Sequence, residues 1–321
     1  MASAAVPPEY SHTAVTGTAA VLQAFLPGMR ERGRGRLIVM SSLVGQIPFP
    51  FESIYAASKF AVEGLVLSLR YEVEPFGIEV ALIQPAQVST SFAAKIGAVA
   101  ALEPRDWLVG TYRDAAAMWR HGYPMEALFA GRTGDERGGA PPEGVPVLPP
   151  SITVGGHMIH AVGLAWAERL QGSDAIAMTH FCDGATSEGD FHEAMNCAGV
   201  FQTPSVFVIQ NNQWAISTFQ GTAGGQRRPF AARGLGLGIP GLRVDGNDFL
   251  AVYSATLWAA DRARRGGGPT LIELVTYRGG AHSTSDDPSK YRPKDEWEAF
   301  PLGDPIERLK QHLVAEGNWS D

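Results

Sequence analysis

Asp183 stands directly behind the apolar run "AIAMTHFC" and in front of Gly184, and Asn212 closes a second apolar run, "PSVFVIQNN". The two are 29 residues apart (212 − 183). Taken singly, the aspartate reads as a helix cap and the asparagine as a turn residue. Taken together they form a pair of hard oxygen donors, each just past an expected strand. If both strands belong to one parallel sheet, their carboxyl ends open on the same edge, where open α/β sheets bind ligands. A carboxylate and an amide carbonyl at that edge suit Mg²⁺, which takes few protein ligands and fills its shell with phosphate oxygens and water. Gly184 lets a backbone approach closely, and a helix starting near Ser187 offers its N-terminal N–H groups to an anion.

A second constellation implies different chemistry. Tyr55 and Lys59 in "YAASK" are four apart, hence on one helix face. A neighbouring ammonium lowers a phenol's pKa, which equips Tyr55 to exchange a proton with a substrate oxygen. Ser42, behind the apolar run "RLIVM", is placed to hydrogen-bond that oxygen. An amphipathic surface helix carries Tyr and Lys at this spacing just as readily.

The elements that must position these residues fall into two α/β segments. In the first, 36–42 reads as a buried strand, 55–77 as a helix stopped by Pro75 and Gly77, and 78–85 as a strand, a parallel crossover. An Ala-rich, weakly patterned seam follows at 93–104. Beyond it, "RDWLVGTYRDAAAMWRHGYPMEALFAG" reads as loop then helix, and the Gly/Pro-rich 134–150 as loop. Then come helix 157–170, strand 175–181, helix 188–199, strands 205–211 and 242–245, helix 248–264, strand 270–278 and a polar, loop-like end. No internal repeat is visible.

The 321-residue chain is long enough for one large or two ordinary domains. Its net charge of −7 argues against nucleic acid as a partner, and "RERGRGR" at 30–36 reads as a solvated loop. Cys182 and Cys197 alone argue against a disulfide framework and fit a reducing, cytoplasmic setting. No stretch approaches the roughly 18 apolar residues of a membrane span, and "MASAAVPPEY" lacks the basic start and apolar stretch of a signal peptide. His157 and His160 on an apolar helix read as packing rather than metal ligands.

The stretch "DGATSEGDFHEAMNCAGVFQTPSVFVIQNNQWAIS" resembles the thiamine-diphosphate motif of the alpha subunit of 2-oxo acid dehydrogenases, the pyruvate and branched-chain class, and the likeness spans about 104–321. The resemblance implies thiamine diphosphate and Mg²⁺ as cofactors. It implies Asp183, Asn212 and the backbone carbonyl of Trp214 as metal ligands, with Gly184 and Ala185 beside the cofactor. Tyr112 and Arg113 match the pair on the diphosphate, and Val154 in "SITVGGH" supports the bent cofactor. His282 and Ser283 in "AHSTSDD" match the active-site loop and are the catalytic candidates. Cys182 stands where the family carries a glycine. The implied reaction is oxidative decarboxylation of a small 2-oxo acid, with the acyl group passed to a lipoyl-bearing acyltransferase. The implied partner is a beta subunit, in an α₂β₂ assembly. "HSTSDD" leans toward the branched-chain type, with pyruvate as the alternative.

The stretch "RLIVMSSLVG…YAASKFAVEGLVLSLRYEVEPFGIEVALIQPAQVST" resembles short-chain dehydrogenase/reductases over about 13–95. Ser42 and Tyr55 lie 13 apart (55 − 42), as that family's Ser and Tyr do. The Gly-rich turn that cradles a dinucleotide in that family has no counterpart here, so Ser42, Tyr55 and Lys59 read as a vestigial reductase site. The expected fold is α/β: a thiamine-diphosphate-binding fold, a parallel sheet flanked by helices over 98–321, preceded by a partial Rossmann-like segment over 1–97. The expected function is that of the dehydrogenase alpha subunit. An NAD(P)-dependent reductase or an inactive hybrid of the two are the alternatives.

Overall fold

The computed structural model describes residues 13–41, 53–83, 92–132, 135–283, 286–296 and 303–319. The chain divides into two units, Met1–Val88 and Ser89–Asp321.

In the first unit, helix α1 (Thr18–Glu31) leads into strand β1 (Gly35–Met40), helix α2 (Ser53–Val73) and strand β2 (Ile78–Ile83). The strands pair in parallel, Gly35 with Ile78 through Met40 with Ile83. Gly77 links α2 to β2 with φ +67°, and a Cβ there would lie 2.4 Å from the Gly33 carbonyl oxygen. Only glycine tolerates both conditions. The small core joins Leu22, Leu37, Val39, Val62, Val66, Val73 and Ile78. The expected buried strand is half right. Leu37 and Val39 are buried, but Ile38 is 61% exposed and Arg36 pairs at the surface with Glu79. Among the described residues only one face of β1 is covered, so its side chains alternate with the pleat.

The second unit is built on a five-stranded parallel sheet in the order β3-β4-β5-β9-β8. Its members are β3 (Trp107–Val109), β4 (Ala177–Cys182), β5 (Ser205–Asn211), β8 (Gly241–Asp245) and β9 (Thr270–Val275), with a small hairpin of β6 (Trp214–Ala215) and β7 (Thr218–Phe219). The helices are α3 (Phe92–Val99), α4 (Ala115–Arg120), α5 (Met125–Arg132), α6 (Met158–Leu170), α7 (Gly189–Phe201), α8 (Phe249–Arg264) and α9 (Pro305–Ala315). Both sheet faces are covered. Val206 and Val208 of β5 pack with Ala94 and Ala98 of α3 and Val252 and Ala259 of α8. Phe207 and Ile209 pack on the opposite side with Met158 of α6 and Phe191 and Met195 of α7. Every residue of β5 is therefore buried, the pattern of a central parallel strand. Asp248 caps α8 by accepting the Ala251 N–H at 3.0 Å, which satisfies one of the orphan donors at a helix start.

Three differences from the sequence reading concern this unit. Trp107–Val109 is a short strand, not loop. The Gly/Pro-rich stretch behind it also takes part in the sheet edge: the Leu108 N–H donates to the Pro146 carbonyl and the Leu148 N–H to the Leu108 carbonyl. Helix α3 lies in the Ala-rich seam and packs on α8, where a Cβ at Gly97 would sit 3.2 Å from Val252. The division thus falls at 88/89, upstream of the expected 97/98.

Candidate active site

The carboxyl ends of β3, β4, β5 and β9 share one edge of the sheet, and each releases a segment carrying residues singled out above. Cys182 and Gln210 are register partners, so Asp183 and Asn212 leave adjacent strands side by side. The approach is close: a Cβ on Gly184 would lie 2.8 Å from the Ala215 Cβ. Glycine is required there for space. Cys182 lies at φ −87° and ψ 168°, ordinary extended backbone that any residue adopts, and continues β4 in register.

Asp183 opens a 3₁₀ turn, Asp183–Ser187, that precedes α7. The helix itself starts at Gly189, two residues later than expected. Asp183 is 1% exposed and its Oδ1 has no hydrogen-bond partner. Burial pushes its pKa up to about 7, against the pull of nearby backbone N–H groups and Arg278. A buried carboxylate oxygen without a hydrogen-bond partner is costly, and a cation beside it offsets that cost.

The Asn212 side-chain carbonyl accepts the Trp214 N–H at 3.1 Å. Its neighbour Asn211 is fully buried and structural, donating to Glu273 and Gln220 at 2.8 Å each. Gln213 and Ile216 both adopt left-handed backbone, φ 75° and 54°, a conformation that costs a non-glycine residue roughly 1–2 kcal/mol. The structure fixes them by side-chain bonds. Gln213 donates to the Thr276 carbonyl at 3.2 Å, and Arg278 donates to the Ile216 carbonyl at 2.8 Å and the Trp214 carbonyl at 3.2 Å. The Trp214 carbonyl, expected as a metal ligand, keeps a second lone pair.

Arg278 also donates to the Tyr291 hydroxyl at 2.7 Å, and that hydroxyl donates to Asp286 at 2.6 Å. Asp286 in turn accepts the His282 backbone N–H at 2.7 Å. The sequence reading missed Arg278. Its position behind β9 was the available signal. The His282 ring meets Arg113, whose guanidinium nitrogens lie 3.4 Å from both ring nitrogens and 2.5 Å from the His282 carbonyl. Burial, then the Arg113 and Arg278 charges, lower the His282 pKa, with Asp286 opposing them. Both arginine charges thus work against the imidazolium form. Tyr112 lies beneath Arg113, 5.3 Å from guanidinium carbon to ring centroid.

Thr111 bridges to Ser151, which brings the "TYRD" loop against the loop carrying Val154. Val154 is 41% exposed, and neighbouring Gly155 approaches Glu188 ahead of α7. Ala185 is buried, and Ser283 is exposed on the His282 loop. In the first unit, Ser42 lies outside the described residues. Tyr55 lies in α2, where Lys59 is half-buried and burial lowers its pKa, with Glu63 opposing.

Comparison with known proteins decides the family. Residues 86–321 match the profile of the dehydrogenase E1 component. The chain belongs to this family. Its match begins upstream of the expected 104 and takes in α3. Residues 6–100 match the short chain dehydrogenase profile. The E1-type unit is similar to the 2-oxoisovalerate dehydrogenase subunit alpha of Pseudomonas aeruginosa, at 48% identity over 230 residues, 69% of this chain and 56% of that one. The pyruvate dehydrogenase E1 component subunit alpha of Acholeplasma laidlawii is 45% identical over 71% of this chain and 66% of its own. The 3-methyl-2-oxobutanoate dehydrogenase subunit alpha of Mycobacterium tuberculosis is 44% identical over 71% and 62%. A solved short-chain dehydrogenase from Streptomyces avermitilis aligns at 44% identity and TM-score 0.23, over 23% of this chain and 28% of its own. The chain spans 56–66% of the length of these three alpha-subunit relatives. The E1-type unit has an α/β fold of the thiamine-diphosphate-binding class. No described helix is long and apolar enough to cross a membrane.

Proposed function

We propose that the E1-type unit binds thiamine diphosphate through Mg²⁺ and acts as the alpha subunit of a 2-oxo acid dehydrogenase. The observation that carries this reading is the buried, partnerless Asp183 Oδ1 at the sheet edge where Asn212, Trp214, Arg113 and His282 converge. Its donor set, a carboxylate, an amide carbonyl and a backbone carbonyl, is the hard-oxygen chemistry that Mg²⁺ takes.

In this reading Asp183, Asn212 and the Trp214 carbonyl hold the cation, and Gly184 and Ala185 give the diphosphate room beside it. Tyr112 and Arg113 clamp the phosphate oxygens, and Val154 packs against the cofactor. The bound cofactor supplies the carbon centre that makes decarboxylation of a 2-oxo acid feasible. His282 presents an imidazole, able to exchange a proton at a ring nitrogen, on a loop whose backbone Asp286 anchors. Ser283 lies beside it at the mouth. The substrate is a branched-chain 2-oxo acid or pyruvate, the acyl acceptor a lipoyl arm on a separate acyltransferase, and the partner a beta subunit.

The test is calorimetric titration of thiamine diphosphate with Mg²⁺ into the full chain together with a beta subunit from the same source. Saturable, Mg²⁺-dependent binding that Asp183→Ala abolishes is expected. Metal-dependent binding retained in Asp183→Ala would sink the assignment.

A further inference from the structure

Helix α3 places a buried ammonium behind the phosphate-facing loop. Lys95 is 6% exposed. Its Nζ donates to the Arg113 backbone carbonyl at 2.7 Å and pairs with Asp114 Oδ1 at 3.1 Å. Asp114 is fully buried and gathers the loop around itself: its Oδ2 accepts the Thr111 N–H at 2.6 Å and the Thr111 hydroxyl at 2.8 Å. Gln210 of β5 donates to Oδ1 at 3.3 Å, and His180 Nδ1 of β4 lies 3.6 Å away. Burial raises the Asp114 pKa, but the Lys95 charge, His180 and the Thr111 bond override it and hold the carboxyl well below its ordinary range. The loop has little slack, since a Cβ on Gly110 would lie 3.0 Å from the Asp114 Cβ.

The two ends of Arg113 are thus held by different parts. Its carbonyl is fixed from inside by Lys95, and its guanidinium reaches outward to His282. A buried ion pair is a poor device for stability alone, because an apolar pair of similar volume often serves as well or better. It is a good device for fixing direction.

We infer that Lys95 is a positioning residue for diphosphate recognition: by holding the Arg113 carbonyl and the Asp114 carboxylate, it sets the loop that presents the Arg113 guanidinium to a phosphate ligand. This rests on the reading of the site as a thiamine diphosphate site. Lys95 touches no ligand itself.

The experiment titrates thiamine diphosphate with Mg²⁺ into the full chain assembled with its beta subunit, and records Tm for each protein. The proteins are wild type, Lys95→Met, the charge-free double variant Lys95→Met/Asp114→Asn, Arg113→Ala, and Lys95→Met in the Arg113→Ala background. Lys95→Met is expected to weaken binding about ten-fold, the scale of misaligning one charge-assisted contact. In the Arg113→Ala background the same change should cost less than about two-fold, because the two residues act through one contact. The double variant should recover Tm, having no uncompensated buried charge, but not affinity. A double variant with both wild-type Tm and wild-type affinity would reduce the pair to a structural element and overturn the inference while leaving the site assignment intact. A ten-fold loss that persists without the Arg113 side chain would overturn it equally. Absence of binding by the wild-type assembly would remove the site reading and the inference with it. Should Lys95→Met fail to fold, the double variant still decides.

Discussion

β1 and β5 are both parallel strands with apolar sequences, "RLIVM" and "SVFVIQN", yet they live in different surroundings. β1 belongs to a two-stranded sheet covered on one face, and Ile38 points away from the core. β5 lies inside a five-stranded sheet covered on both faces, and all of it is buried. What separates them is coverage, and coverage decides where polar chemistry is affordable. The E1-type unit has enough apolar burial to carry a buried carboxylate at Asp183, one oxygen of it without a hydrogen-bond partner, and an ammonium–carboxylate pair at Lys95 and Asp114. Among the described residues, the first unit has seven buried apolar side chains in its core cluster.

The largest way to break this comparison is to hollow the second core. Phe207 is fully buried in the middle of β5, and Phe207→Ala should destabilise the E1-type unit by about 4 kcal/mol through lost burial and a residual cavity. Thermal or denaturant unfolding followed in that unit measures it. A loss below about 1 kcal/mol would mean that the sheet is less tightly covered than described.

A smaller effect of opposite sign is expected at Asp183. Its folded pKa is raised from 3.8 to about 7. For an acid shifted upward, stability is fully present below the unfolded value and is lost as pH rises through the folded one. The carboxylate therefore destabilises the cofactor-free chain progressively between about pH 4 and pH 7. Asp183→Asn should raise Tm at pH 8, by on the order of a few kcal/mol in stability, leave Tm near pH 4 little changed, and abolish Mg²⁺-dependent binding. Tm scans at the two pH values check the sign, and a lower Tm at pH 8 would contradict the described burial.

The smallest effect sharpens the comparison from the other side. Ile38→Thr in β1 keeps a β-branched residue on an uncovered face and should shift stability by no more than about 0.5 kcal/mol. A large loss would show that this face is covered in the assembled protein.

The sequence made the long elements of the E1-type unit legible because their runs are continuous and bounded by turn residues, as at β4, α7 and β5. β3 was hidden because three residues carry no period. Its place in the sheet depends on a register with Ala177–Thr179 and a loop at Val147 that local sequence does not encode. The strand assignment of β1 was sound, but its burial was not readable, since an apolar run looks the same whether one face or two are covered. In the site, Asp183 and Asn212 announced themselves by position behind strands. Lys95 did not. In "AAKIGAVAAL" it stands in an Ala-rich, weakly patterned seam, and only the approach of Asp114 and the Arg113 carbonyl from 18 or 19 residues away buries it. Arg278 was hidden for the same reason, because its partners at Trp214, Ile216 and Tyr291 come from two other loops.

The chain holds five lysines, at 59, 95, 290, 294 and 310, and the amine at 95 is one that solvent scarcely reaches. That makes it a built-in gauge. An amine-acylating reagent at trace dose marks exposed lysines at once, but it marks Lys95 only during excursions in which α3 lifts from the loop. The rate at which that mark accumulates counts how often Arg113 loses its inner anchor.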